Sequence, residues 1–260
     1  MRNRLRSFLF TAIAACSFTA SAPAALSIGG WDSTRAGATY NIFDGTGYAG
    51  LRASLVSSFS GATFTGTGTL TSAYLSGVNL LIIQAILGGS NAPISALSAA
   101  EQTALFDFVK NGGTAIIATE NGFAYAAASA SLVSPFGITD SGANLSGTQT
   151  CTITNPTGNP VTSGPYGTTS SLTYGFCGAY SAMGSYATSI GTIGGLTGLA
   201  YIPQNAIQPG SGSVTFFSDT LSGVAPSNSL ISNVASTVPE PSAALLGLLG
   251  GLAMLARRRR

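Results

Sequence analysis

Two short runs without polar interruption dominate the middle of the chain: Asn79-Leu-Leu-Ile-Ile-Gln84 and Thr114-Ala-Ile-Ile-Ala-Thr119. Continuous apolar runs of this length fit strands covered on both faces. Between them the pattern changes to helical spacing, with Leu105, Phe108 and Val109 on one face. Ser98 stands three residues before Glu101, the spacing of a capping box, and Gly112-Gly113 supply the stop. Leu26 to Gly29 predicts a first strand, and Leu51, Leu55 and Val56 predict a helix over 48–59. A further helix is expected across Phe123 to Leu132, strands at Leu199 to Ile202 and Val214 to Ser218, and a last helix at Asn228 to Val234. From Gly137 to about Tyr186 the residues are mostly Thr, Ser, Gly and Pro with scattered Val, Ile and Tyr, which predicts a β-rich excursion beside the sheet. Strand, helix, strand, helix implies right-handed crossovers, a parallel sheet and an α/β fold with flanking helices.

The two ends follow other rules. Met1 to Arg6 is basic, Ser7 to Ala15 is apolar, and Ala22-Pro23-Ala24 is a small-residue cleavage site, together the three parts of a secretory signal over 1–25. The expected partners are the Sec machinery and signal peptidase. Ile13-Ala14-Ala15-Cys16 also fits a loose lipobox, so lipidation at Cys16 stays open beside ordinary cleavage near Ala25. At the other end, Pro239-Glu240-Pro241 precedes an apolar run over 242–256 and then Arg257, Arg258, Arg259 and Arg260. Fifteen residues fall short of the roughly 20 that span a bilayer core. Snorkelling arginines and local thinning absorb such a mismatch, and the arginine cluster stays on the cytoplasmic side.

Composition then removes function classes. Only 7% of residues are charged, yet 45% are hydrophobic and mean hydropathy is +0.38, which argues against a disordered chain. The formal charge of +2 comes from the termini. Between Leu26 and Val238, Arg35, Arg52 and Lys110 face Asp32, Asp44, Glu101, Asp107, Glu120, Asp140 and Asp219, a net charge of −4. Such a body lacks the basic patch that nucleic acid requires. Cys151 and Cys177 lie 26 positions apart and are the two cysteines left after signal removal. In an oxidising compartment they are expected to pair, contributing roughly 3 kcal/mol by loop closure. No histidine occurs anywhere, so the two lack partners for a metal site.

The C-terminal 23 residues, 238–260, resemble the PEP-CTERM sorting signal of Gram-negative bacteria in the order Pro-Glu-Pro, hydrophobic helix, arginine cluster. The resemblance implies an exosortase as partner and processing near Pro239-Glu240-Pro241. It also implies anchoring in the inner membrane followed by display at the cell surface or in an exopolysaccharide matrix. The middle, 26–236, resembles the class I glutamine amidotransferase-like superfamily, a flavodoxin-like parallel sheet. The residues that carry this likeness are Leu75-Ser-Gly-Val-Asn-Leu-Leu-Ile-Ile, Leu97-Ser-Ala-Ala-Glu-Gln and Phe108-Val-Lys-Asn-Gly-Gly-Thr-Ala-Ile-Ile, with weaker matches at Asn159 to Gly167 and Gly210 to Asp219. That family places a nucleophilic Cys at an elbow with Gly two residues on; here Ala118-Thr119-Glu120-Asn121-Gly122 puts Glu120 there. Without Cys at the elbow or any imidazole, the family's hydrolysis is excluded. No catalytic residue and no cofactor are therefore assigned.

Ligands of open α/β sheets bind beyond the carboxyl ends of the strands. Asp32, Glu120 and Asp219 each follow a predicted strand and are the ligand-binding candidates. Each also reads as an ordinary loop residue, Glu120 as an acid at a helix start and Asp219 as a turn former. Trp31, Tyr40, Tyr48, Tyr125, Tyr166, Tyr174, Tyr180 and Tyr186 offer either a sugar-stacking face or plain packing. The sequence thus favours a non-catalytic protein of the envelope or exopolysaccharide matrix, binding or structural, with extracellular polysaccharide as a candidate partner. A carboxylate-based extracellular hydrolase and a Ca²⁺-dependent adhesion module remain as alternatives.

Overall fold

The computed structural model describes residues 25–221 and 225–238. Strand β1 (Ser27–Trp31), helix α1 (Ala49–Ser58) and strand β2 (Thr63–Thr67) come first, followed by β3 (Leu80–Gln84), α2 (Ala99–Lys110), β4 (Thr114–Ala118) and α3 (Ala126–Val133). Strands β5 (Gln149–Ile153), β6 (Ser171–Tyr174), β7 (Thr188–Ile193), β8 (Leu196–Ile202) and β9 (Val214–Phe217) follow, then α4 (Ala225–Ser236). These strands form one large mixed sheet in the order β6-β5-β7-β8-β9-β4-β3-β1-β2. β2, β1, β3, β4 and β9 run parallel to one another. Numbered by their own succession along the chain, these five stand 2-1-3-4-5, a doubly wound order. β8, β7, β5 and β6 continue the sheet by antiparallel pairing.

Alternation along the buried strands sorts the core into two layers. Leu80 and Ile82 of β3 join Ile28, Ile116 and Phe217 on one face, under Leu51 and Leu55 of α1 and Leu230, Ile231 and Val234 of α4. Leu81 and Ile83 turn the other way, with Ala115, Ile117 and Phe216, toward Leu105 and Val109 of α2 and Leu132 and Val133 of α3. The period of two along each strand thus gives both faces an apolar cover, which is why the runs lack polar interruption. The capping box opens α2 as its spacing predicts: Glu101 N–H donates to Ser98 Oγ at 3.3 Å and Ser98 N–H donates to Glu101 Oε2 at 2.9 Å. Gly112 follows Asn111 at φ +105°, a conformation that glycine adopts without penalty.

Several expectations need correction. Val56 points outward and is exposed, whereas Leu51 and Leu55, one helical turn apart, carry the buried face of α1. The β-rich excursion does not sit beside the sheet; β5 and β6 extend it in plane through β7. The disulfide between Cys151 and Cys177 is not formed, and both thiols are free and buried. Antiparallel register sets Cys151 against Leu172, while Cys177 exchanges backbone hydrogen bonds with Leu145. The Cys151 thiol is enclosed beside Gly191 and Gly198, whose added Cβ atoms would lie 2.8 and 3.2 Å from its Sγ. Among the described residues no helix is long and apolar enough to cross a membrane. The expected signal, Cys16, the sorting motif at Pro239, Glu240 and Pro241, the span 242–256 and Arg257 to Arg260 lie outside the described residues.

Candidate functional site

Register builds the site. β4 and β9 are parallel neighbours with Ala118 beside Phe217. Carried two residues further, that register sets Glu120 and Asp219 side by side at the carboxyl edge of the sheet. Adjacent strands lie about 4.8 Å apart, so two carboxyl groups there must share one small space. The strand ends are fastened together: Thr119 N–H donates to Phe217 O at 2.8 Å, and Tyr180 Oη–H donates to the same carbonyl at 2.8 Å. Ser129 of α3 holds the backbone of Glu120, accepting its N–H at 3.1 Å. Gly122 then passes so close to Gly142 that an added Cβ would lie 2.2 Å from the Gly142 carbonyl carbon. Gly178 also passes close, with an added Cβ 2.7 Å from the carbonyl oxygen of Glu120.

The two carboxyl groups are almost fully buried, Glu120 at 5% exposure and Asp219 at 7%. They are satisfied unequally. Asp219 Oδ2 accepts from Gly175 N–H at 2.8 Å, and its Oδ1 accepts from Thr220 N–H at 2.6 Å and Thr220 Oγ1 at 3.2 Å. Glu120 Oε1 accepts from Asn121 N–H at 3.0 Å and from Asn121 Nδ2 at 3.3 Å. Glu120 Oε2 has no hydrogen-bond partner among the described residues. Burial, reinforced by the neighbouring Asp219 charge, pushes the Glu120 carboxyl up to about 7 against the lowering effect of Asn121. Burial also raises Asp219, although the Gly175 and Thr220 donors oppose it. The neighbouring Asp219 charge thus favours the protonated form of Glu120.

Around this pair lies a cavity of about 640 Å³. Its walls include Asn91, Asn121, Tyr125, Tyr174, Thr173 and Phe176. Tyr125 is anchored by donating its hydroxyl to Asn91 O, and Tyr174 by donating to Gly198 O at 3.3 Å. Phe176 is 59% exposed, a large apolar ring left at the rim. Cys177 is the next residue, buried and pushed up to about 12 by burial and by the Asp219 and Glu120 charges. Cys151 is likewise pushed up to about 12, by burial and by Cys177. Thiols held this far above the usual range stay protonated and are poor nucleophiles.

Of the three predicted site residues, the fold unites Glu120 and Asp219 and leaves Asp32 out. Asp32 follows β1, which is separated from β4 by β3, and its carboxylate caps a short helix by accepting Thr34 N–H at 2.9 Å. The crevice between β1 and β3, where the strand order reverses, is filled. Tyr48 donates its hydroxyl to Gln84 Oε1, Gln84 Nε2 donates to Tyr40 O, and Trp31 Nε1 donates to Gln84 O at 3.0 Å. The aromatic residues divide in the same way. Trp31, Tyr48 and Tyr180 are core residues, and only Tyr125 and Tyr174 of the eight line the cavity. Sequence reasoning does not reach Phe176, Asn91 and Asn121: Asn121 adjoins Glu120 and Phe176 lies two residues from Tyr174, a proximity that becomes meaningful only once the register is known, and Asn91 carries no signal in the sequence. The backbone at Glu120 is not left-handed, since the non-glycine residues with positive φ among the described ones are Asn91, Asn155 and Asn205. The strained elbow of a nucleophile is therefore not built here. Among the described residues no group of three or more His, Cys, Asp or Glu side chains is placed to hold a metal ion.

No protein-family profile matches the chain, and no curated protein sequence matches it. Solved structures do resemble it. The mmIFT52 N-terminal domain superposes with a TM-score of 0.57 at 18% identity, covering 81% of this chain and 95% of that one. A cytoplasmic protein from Salmonella typhimurium gives 0.53 at 13% identity, covering 74% and 87%. A cold-adapted β-galactosidase from a Rahnella species gives 0.52 at 13% identity, covering 83% of this chain but 32% of that one. At such identities these likenesses establish a shared α/β fold and nothing about chemistry.

Proposed function

We propose that this chain is an exported, surface-sorted, non-catalytic protein of the envelope or exopolysaccharide matrix. In this reading the Glu120–Asp219 cavity binds polysaccharide. The single observation behind the binding site is the pair of buried carboxyl groups at adjacent strand ends, opening into a cavity with aromatic walls. Carboxylates accept hydrogen bonds from vicinal hydroxyls, asparagine amides both donate and accept, and an exposed ring stacks on the apolar face of a sugar. A second cavity of about 550 Å³ lies at the opposite sheet edge, near Val78, Phe108 and Gly113. It lacks a carboxyl pair and stands at the amino ends of the parallel strands, so it is the weaker candidate.

Export and sorting rest on the sequence. The signal at 1–25 implies the Sec machinery and signal peptidase, and the PEP-CTERM-like tail at 238–260 implies an exosortase and transient membrane anchoring. The strand order 2-1-3-4-5 supports a flavodoxin-like domain over 26–236. A derivative of the amidotransferase-like superfamily that has lost both its nucleophile and its strained elbow is compatible with Glu120 following β4.

One second reading has an observation in its favour. A raised Glu120 beside Asp219 is also the acid–base arrangement of a glycoside hydrolase. Alanine at both positions separates the readings. Retention of the full chain on immobilised exopolysaccharide should fall at least ten-fold in the double variant, with no reducing ends released by either protein. Release of reducing ends by the unaltered chain alone would establish the hydrolase, and unchanged retention would remove the site.

A further inference from the structure

The fold leaves apolar rings in solvent at the same edge as the cavity. Among the described residues the exposed large hydrophobic side chains are Phe43, Val56, Phe123 and Phe176. Val56 lies on α1, but the three phenylalanines stand in loops at the carboxyl edge. Phe43 follows β1 and packs over the end of β2, where a Cβ added to Gly66 would lie 2.9 Å from the Phe43 Cβ. Phe123 follows β4, and Phe176 adjoins Gly175, whose N–H donates to Asp219 just beyond β9. Apolar residues exposed singly are ordinary, whereas three rings gathered at one edge form a surface.

Two of the rings are held out on fixed backbone. Phe123 lies between Gly122, whose N–H donates to Ala143 O at 2.8 Å, and the buried Tyr125. Phe176 lies between Gly175 and the buried Cys177, which exchanges backbone hydrogen bonds with Leu145. Rings presented this way lose little freedom when a ligand stacks on them. Sheet order then sets their spread. From β9 through β4, β3 and β1 to β2 there are four strand intervals, about 19 Å in all. A single sugar cannot span that length, but a short run of rings in a glycan chain can.

Charge selects among the possible occupants. The acids at this edge include Asp32, Asp44, Glu120 and Asp219, and the cavity lining holds neither arginine nor lysine. Arg35 pairs with Glu101 at 3.2 Å, Arg52 donates to Gly45 O at 2.7 Å, and Lys110 ends α2 at the opposite edge. Anionic lipid headgroups and uronate chains would both meet uncompensated negative charge here. The chain also leaves the domain at the other edge, through Val238 beside Asn79 and Gly113, so the tail does not call for rings at this one. A neutral glycan adds no charge and lays apolar ring faces on the phenylalanines. It also finds amide and hydroxyl partners in Asn91, Asn121, Thr173 and Thr220 of the lining.

We propose that Phe176, Phe123 and Phe43 extend the cavity into a platform for an uncharged glycan chain, read along its length and not at one end. This rests on the polysaccharide-binding reading of the same cavity. The test is fluorescence titration of the full chain with oligosaccharides released from the exopolysaccharide of its own host. These are separated into neutral and acidic pools and sized as disaccharides and hexasaccharides. The neutral hexasaccharide should bind at least ten-fold more tightly than the neutral disaccharide. Phe43→Ser and Phe123→Ser should each weaken the hexasaccharide by about five-fold, the loss expected of one stacked ring, and leave the disaccharide unchanged. Both side chains are exposed, so their replacement leaves the core intact. Equal binding of the two lengths, or a hexasaccharide affinity that neither variant changes, would overturn the platform and leave the cavity in place. Tighter binding of the acidic pool would overturn the choice of an uncharged chain. A dimer of the unaltered chain that Phe123→Ser dissolves in the absence of sugar would give the rings to a second copy and overturn the proposal. Binding of no oligosaccharide would overturn it together with the reading on which it rests.

Discussion

Glu120 is the residue at which the fold and the site make opposite demands. Its carboxyl is raised in the folded state, so between its ordinary value and about 7 the native chain binds more protons than the unfolded one. Stability from this group is therefore lost as pH rises through that window. Glu120→Gln removes the loss. It should be more stable than the unaltered chain at pH 8, by on the order of 2 kcal/mol. The advantage should shrink toward pH 4, as urea denaturation at the two values would show. Glu101 behaves in the opposite sense. Burial alone would raise it, but the Ser98 amide and hydroxyl and the Arg35 guanidinium outweigh burial and hold it below the ordinary value. Its contribution is present at neutral pH and lost as pH falls through its folded value. Glu101→Ala removes a cap and leaves Arg35 without its carboxylate, and should cost about 2–3 kcal/mol in the same experiment. Glu101 was legible from spacing alone, because a capping box is a local device. The pairing of Glu120 with Asp219 was only half legible. The sequence places each after a strand, but their adjacency comes from the register of β4 on β9, a contact between segments about a hundred residues apart. The same blindness placed Asp32 in the site, since position after a strand does not say how many strands intervene.

At the scale of elements, β3 and β4 were legible because burial on both faces writes itself as a nearly unbroken apolar run, and β9 because Val214, Phe216 and Phe217 leave one hydroxyl residue between them. β2 was not. Its Thr-Phe-Thr-Gly-Thr sequence lies at the sheet edge, where one covered face and one wet side leave a weak pattern. β7 escaped for a similar reason: Thr188-Ser-Ile-Gly-Thr-Ile193 mixes glycine and hydroxyl residues because Gly191 must pass beside the Cys151 sulfur. Helix α1 was found, but its buried face was drawn too wide by including Val56. That difference is measurable. Leu55→Ala should cost about 2–5 kcal/mol, because Leu55 is fully buried between α1 and the sheet, whereas Val56→Ala should change stability by less than about 0.5 kcal/mol. Denaturant midpoints for the two variants check the assignment. A close approach sets a third case. Gly122→Ala would drive its methyl group into the Gly142 backbone, and should cost about 1–3 kcal/mol and disturb the cavity wall at Asn121.

For the molecule as a whole, two halves of one sheet divide the work. The parallel half supplies a rigid edge with two carboxyl groups, and the antiparallel extension brings Tyr174, Phe176 and Cys177 over that edge. The cysteines fit this division: the fold buries them as free thiols instead of bridging them, so thiol titration of the unfolded chain should count both. The proposed export and sorting rest on the termini, on a pattern of charge and hydropathy that is legible without the fold. Ligand identity is not written there, because it depends on side chains brought together from four separate segments. Polysaccharide binding by this chain therefore requires the ligand to sit at the carboxyl edge of the sheet. Hydrogen exchange of the full chain, with and without oligosaccharides released from the exopolysaccharide of its own host, tests that location directly. Protection should rise at 119–125, 173–177 and 218–220, around the carboxyl edge. Protection confined to the opposite edge, near Val78, Phe108 and Gly113, or unchanged exchange throughout at saturating sugar, would contradict it.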